Sequence, residues 1–132
     1  MNTLQGKITA VKTHGNLSLV NILVGEVRIS SIIIETPDSV GYLREGHDIN
    51  VLFKETEVII SIDDEPRVSL RNRFPSTILR INKGVLLSEL TLQTEGTEIS
   101  SIITTNAVEQ LDLKEGDKVL ALIKTNEIML SE

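Results

Sequence analysis

Between Ser76 and Asn82 the side chains follow the two-residue period of a strand, Gly84 interrupts it, and Val85–Thr94 runs back. Glu95-Gly96 marks a second turn and Glu98–Ile103 a third strand. The period then changes. Thr104-Thr105-Asn106 supplies capping side chains ahead of Val108 and Leu111, which share one apolar face, so a short helix is predicted over Thr104–Leu111. Lys114-Glu115-Gly116-Asp117 turns the chain into a fourth strand, Lys118–Lys124, and Glu127–Leu130 is a short fifth strand that closes the unit. Five strands with one helix between the third and fourth suggest a small Greek-key barrel of the OB type, with a paired SH3-like barrel as the alternative.

The same unit is written twice. Ile29-Ser30-Ser31-Ile32-Ile33 recurs unchanged as Ile99-Ser100-Ser101-Ile102-Ile103, and the same offset aligns Asn2 with Asn72, Ile8 with Ile78, Glu45-Gly46 with Glu115-Gly116 and Lys54 with Lys124. The turn glycines Gly15 and Gly84 slip by one position, a difference of hairpin length. Two modules follow, 1–62 and 69–132, joined by the short polar segment Asp63-Asp64-Glu65-Pro66-Arg67-Val68. The expected fold is all-β: two tandem OB-like five-stranded small barrels, each with one short helix. Barrels of this size bury little core alone, so the two modules should pack on each other and the chain should oligomerise.

Composition supports the strands and narrows the function. Ile, Val and Thr make up 40 of 132 residues, whereas Ala, the best helix former, occurs three times. A formal charge of −6 gives no global positive field for nucleic acid or an anionic membrane. The chain has no cysteine, which removes thiol redox chemistry and thiolate metal sites. Two Phe, one Tyr and no Trp leave no stacking platform for bases or sugars. The N-terminal residues lack the apolar stretch of a signal peptide, and no apolar run approaches a bilayer span, so a soluble cytoplasmic protein is expected, with no nucleic-acid or membrane partner.

Catalytic apparatus is not visible. His14 and His47 have no ligand-spaced partner, the carboxylates are scattered in turns, and no phosphate-binding glycine loop or nucleophile elbow occurs. Against that background Arg67-Val68-Ser69-Leu70-Arg71-Asn72-Arg73 gathers three cations within seven positions of an acidic chain. Such a segment is either a solvated linker or a small anion site, because hydroxyl, guanidinium, amide and backbone N–H groups are the donors a tetrahedral oxyanion needs.

Ser69-Leu70-Arg71-Asn72, Gly84 ahead of a strand, Ile103-Thr104, Leu111-x-Leu113-Lys114-Glu115-Gly116 and Ile123-Lys124 occur in a definite order and spacing. They resemble the S-A-R-N, G-A-V-N-A-E-V, I-T-x-x-S-V, L-x-L-x-x-G and I-K-A-S segments of the Mop or TOBE-type module, and two copies in one chain resemble a molbindin of the di-Mop kind. The resemblance implies trimers of two-module chains that bind molybdate or tungstate at module interfaces, as an intracellular store or buffer and not as an enzyme. It places Ser69, Arg71 and Asn72 at the oxyanion with Lys124, Thr125 and Asn126, adds Thr104 from the I-T segment, and leaves open whether Lys54 or Lys124 completes the site. No side chain coordinates the metal directly, and no cofactor is implied. The alternative is a TOBE-type interaction or regulatory module that has kept the barrel without the ligand.

Several positions depart from the pattern. Thr125-Asn126 stands for Ala-Ser, Leu87 for the usual Asn after the turn glycine, and Ala107 for the usual Ser after Thr104. The first module begins at Met1-Asn2 without the Ser and Arg, and places Glu55 beside Lys54. A site built on the first module is therefore expected to be the weaker one.

Overall fold

A computed structural model describes residues 1–132. The first repeat forms β1 (Asn2–His14), β2 (Leu17–Val24), β3 (Val27–Ile33), β4 (Asp48–Phe53), a 3-10 turn (Glu55–Glu57) and β5 (Ile59–Ser61). The second forms β6 (Asn72–Lys83), β7 (Leu87–Thr94), β8 (Thr97–Thr104), α1 (Thr105–Gln110), β9 (Lys118–Ile123), a 3-10 turn (Thr125–Glu127) and β10 (Met129–Ser131). Two five-stranded sheets result, ordered β10-β4-β1-β2-β3 and β5-β9-β6-β7-β8, as expected of two tandem OB-like modules. No helix is long and apolar enough to cross a membrane.

Alternation sets the inner faces. Val20, Ile22 and Val24 of β2 point inward with Leu90, Leu92 and Thr94 of β7, and the residues between them are half-buried or exposed. Each long first strand carries one irregularity, between Ile8 and Ala10 in β1 and between Ile78 and Arg80 in β6. The extra residue bends the strand, so its first half pairs with β4 or β9 and its second half with β2 or β7.

The helix expected in both repeats is present in one. In the second, Thr104 Oγ1 accepts from the Ala107 N–H at 3.0 Å, and Val108 is buried. The corresponding stretch of the first repeat, Thr36-Pro37-Asp38-Ser39-Val40-Gly41, makes a single turn in which the Ser39 and Val40 N–H groups both reach the Thr36 carbonyl, at 3.0 and 2.9 Å. Proline is tolerated only at the start of a helix, and Gly41 disfavours a second turn.

The closing strands are exchanged. β10 pairs with β4 of the first repeat (Met129↔Leu52, Leu130↔Val51), and β5 pairs with β9 of the second (Ile59↔Leu122, Ile60↔Ala121). This corrects the expectation that the last short strand closes its own unit. Two buried hydroxyls fasten the crossing: Ser31 Oγ donates to the Ile128 carbonyl at 2.9 Å, and Ser101 Oγ to the Val58 carbonyl at 3.0 Å. The end of each repeat is thereby led away from its own sheet just before its last strand.

One core serves both repeats, a continuous cluster of 22 buried apolar residues. At the seam, Phe53 of β4 and Phe74 of β6 lie stacked with ring centroids 6.3 Å apart and planes at 18°, both fully buried.

The hairpins differ as the glycine slip suggested. His14↔Leu17 leaves a two-residue turn, whereas Lys83↔Ser88 leaves a four-residue loop closed by the Gly84 N–H on the Leu87 carbonyl at 2.9 Å. A Cβ at Gly84 would clash with that carbonyl oxygen, which is backbone and cannot swing aside. Gly84→Ala is therefore expected to lower stability by about 1–3 kcal/mol, read as a fall in thermal midpoint. Gly15→Ala meets no atom, so any cost there comes from its positive φ alone.

Candidate oxyanion site

The basic segment is held by one of its own arginines. Arg73 Nε donates to the Leu70 carbonyl at 3.0 Å, and its Nη2 donates to the carbonyls of Pro66 and Val68 at 2.8 and 3.3 Å. The guanidinium that the sequence groups with Arg67 and Arg71 thus folds the linker into a loop and presents Ser69 and Arg71 on it, both exposed.

Asn72 acts as a clasp. Its Oδ1 accepts from the Ser30 N–H at 2.8 Å and its Nδ2 donates to the Ser30 carbonyl at 2.9 Å, and the residue is 1% exposed. Asn2 does the same to Ser100, with both bonds at 2.8 Å. The unchanged Ile-Ser-Ser-Ile-Ile repeat has a structural origin here: its first serine gives its backbone to the asparagine of the other repeat, and its second fastens the crossing chain.

Strand register brings the remaining candidates to this clasp. Asn72 pairs with Ile123, so Arg71 and Lys124 leave adjacent strands side by side, and the turn Thr125–Glu127 packs against β3. Arg71 and Asn72 line the stretch of β3 around Ser30 and Lys124 leaves the adjacent strand, with the turn Thr125–Glu127 against β3, whereas Ser69 lies on the loop that Arg73 closes and lines a separate concavity with Arg67, Arg71 and Arg73. Arg71 and Lys124 form no ion pair, so their charges are not already committed to a carboxylate.

Two candidates lie elsewhere. Thr104 ends β8 and caps α1; four residues of strand, on the order of 13 Å, separate it from Ser100. Lys54 follows Phe53, the register partner of Asn2, and so belongs to the equivalent clasp at Ser100. There Glu55 accepts from the Met1 ammonium at 2.7 Å, a hydrogen bond that holds its carboxyl below the ordinary carboxylate range. The equivalent of Arg71 on that side is Met1, and the equivalent of Thr125 is an acid.

One lining residue falls outside every motif considered. Arg28 on β3 shares a concavity of about 520 Å³ with Thr9, Asn21, Ser30, Arg71 and Asn72. The sequence did hold a signal: at the seventy-residue offset Arg28 aligns with Glu98, a reversal of charge next to an otherwise identical pentapeptide.

Comparison with known proteins agrees with this architecture. The TOBE domain matches residues 69–130. Molybdenum-pterin-binding protein 1 of Clostridium pasteurianum is 36% identical over 64 residues, 48% of this chain and 94% of that protein. The chain belongs to the Mop family. Molybdenum-pterin-binding protein MopB of Rhodobacter capsulatus is 28% identical over 128 residues, 95% of this chain and 47% of that longer protein. A crystal structure of the cytoplasmic molybdate-binding protein ModG with molybdate bound superimposes with a TM-score of 0.91 at 30% identity, covering 98% of this chain and 94% of that one. The likeness to ModG therefore takes in both Mop modules. In this Mop chain the departures Leu87 and Ala107 sit at the far end of the second module, around the capped helix, and not at the Asn72 clasp.

Proposed function

We propose that this protein binds molybdate and holds it as a cytoplasmic store or buffer, with tungstate as a second ligand and no catalytic turnover. The observation that carries the reading is the match of both modules to molybdate-bound ModG. Arg71 and Lys124 beside the Asn72 clasp, with Ser69 on the adjoining loop, are the groups that would supply the chemistry.

Molybdate is a tetrahedral dianion, and taking it out of water requires its oxygens to meet donors and its charge to meet cations. Arg71 offers a planar fork, Lys124 a point charge, and Ser69, Thr125 and Asn126 neutral donors. Asn72 contributes by position, since its amide is spent on Ser30. Sulfate carries the same charge as molybdate, so the site must distinguish it by size. Local cations neutralise the ligand irrespective of the net charge of −6.

Assembly into a trimer completes the reading. Val85, Leu86 and Leu87 at the tip of the β6–β7 hairpin are 93, 79 and 56% exposed, which for three consecutive apolar residues favours a covered surface in the oligomer. Thr104 lies at this end of the module, so any role it has at the oxyanion belongs to an interface between chains.

Calorimetric titration of the purified chain with molybdate, tungstate and sulfate tests the proposal. Heats of binding are expected for the first two at concentrations where sulfate gives none, from a species whose light-scattering mass is three times the 14.6 kDa chain. Equal affinity for sulfate, or no heat with any of the three, would leave the interaction-module alternative in its place.

A further inference from the structure

The outer face of β2 and β3 is polar where the clasp meets it. Ile22, Ile29 and Ser31 point into the core, so Asn21, Arg28 and Ser30 point away from it. Register sets Asn21 opposite Ser30 and Leu23 opposite Arg28, and the Ser30 hydroxyl donates to Asn21 Oδ1 at 2.8 Å. Asn72 is tied to the backbone of Ser30, which brings Arg71 over this face from the other repeat. Arg28 and Arg71 consequently line one concavity, and no carboxylate lines it with them. Neither guanidinium forms an ion pair anywhere in the chain.

Two like charges facing a shared groove repel, and in a chain with nineteen acidic residues a carboxylate to relieve them would be easy to supply. On the corresponding face of the second repeat the position of Arg28 is taken by Glu98, which pairs with Arg80 at 3.6 Å. We infer that Arg28 is a second guanidinium of the oxyanion site, which is thus built from unlike modules, β3 of the first and the Ser69–Asn72 segment of the second. This rests on the molybdate-binding reading and adds a third cation to Arg71 and Lys124. The attraction of Arg28 to a dianion is about twice its attraction to a tetrahedral oxyanion of similar size and single charge, so its presence favours molybdate over such an ion.

Perrhenate is such an ion, and it makes the test direct. Arg28→Gln is expected to weaken molybdate binding about 10-fold or more, the loss of one charge-assisted contact, and to weaken perrhenate much less, so that the ratio of the two affinities falls. Arg28→Lys should restore a large part of that ratio. Arg28 is exposed and its guanidinium donates no hydrogen bond within the chain, so an unchanged thermal midpoint is expected for both variants. Arg44→Gln, the same charge change on a distant exposed turn, should stay within about twofold of the unsubstituted protein. If the unsubstituted protein binds molybdate while Arg28→Gln keeps its affinity and its ratio, or Arg44→Gln weakens as much, the assignment of Arg28 is wrong and the molybdate reading stands. If the unsubstituted protein binds no molybdate, the molybdate reading itself fails.

Discussion

Replacing Arg71 by alanine is expected to remove most of the affinity for molybdate, by roughly 2–5 kcal/mol, with little change in thermal stability. The two halves of that expectation have separate causes. Arg71 lies on the loop that Arg73 closes through three carbonyls, so its side chain is presented without supporting the loop. It is exposed and makes no ion pair, and truncation removes no packing from the core. What it does remove is a bidentate charge-assisted partner of a dianion, and the ligand left behind would be desolvated against one cation fewer. Titration by calorimetry, paired with a thermal melt of the same sample, separates the effects. A variant that binds as tightly as the unsubstituted protein would place the oxyanion elsewhere in the molecule.

Phe74→Ala is expected to carry the largest stability loss, about 3–5 kcal/mol, seen in urea unfolding as a lower midpoint with the slope preserved. Phe74 is fully buried, stacks on Phe53 from the other repeat, and sits two residues from the Asn72 clasp. A cavity there opens on the seam between the modules, and the surrounding strands are fixed on both sides by ladders, so collapse around the missing ring is restricted. Because the 22 core residues form one cluster, the unfolding curve should remain a single transition. Two separated transitions would mean that the repeats hold their structure independently.

Much of this arrangement is legible in the sequence, and what is not has identifiable reasons. Two-residue alternation, turn glycines and the exact Ile-Ser-Ser-Ile-Ile repeat lead to two five-stranded modules because these signals are local. The helix misled in the first repeat, where Pro37 and Gly41 compete with the capping residues and prevail. Asn72 reads as a ligand by resemblance, yet its amide is consumed by Ser30, a partner 42 residues away that no spacing rule supplies. Arg73 reads as one more cation and is a loop fastener for the same reason: its acceptors are backbone carbonyls, invisible to composition. Exchange of β5 and β10 was the least accessible feature, since Ile59–Ser61 and Met129–Ser131 have the same pattern and each would fit either sheet.

That exchange changes what the six-residue joint at 63–68 is for. Each half of the chain owns an edge strand that belongs, by hydrogen bonding, to the opposite half, so a cut in the joint would leave two interlocked fragments and not two free barrels. The joint acts as a tether that keeps the local concentration of each edge strand high, on the order of millimolar for a short flexible connection. A half-chain released from it would expose the flank of β4 or β9 as an unpaired edge, a template for the matching strand of another half-chain. In that sense one copy of this polypeptide is a dimer whose association has been made intramolecular, independent of how much protein is present.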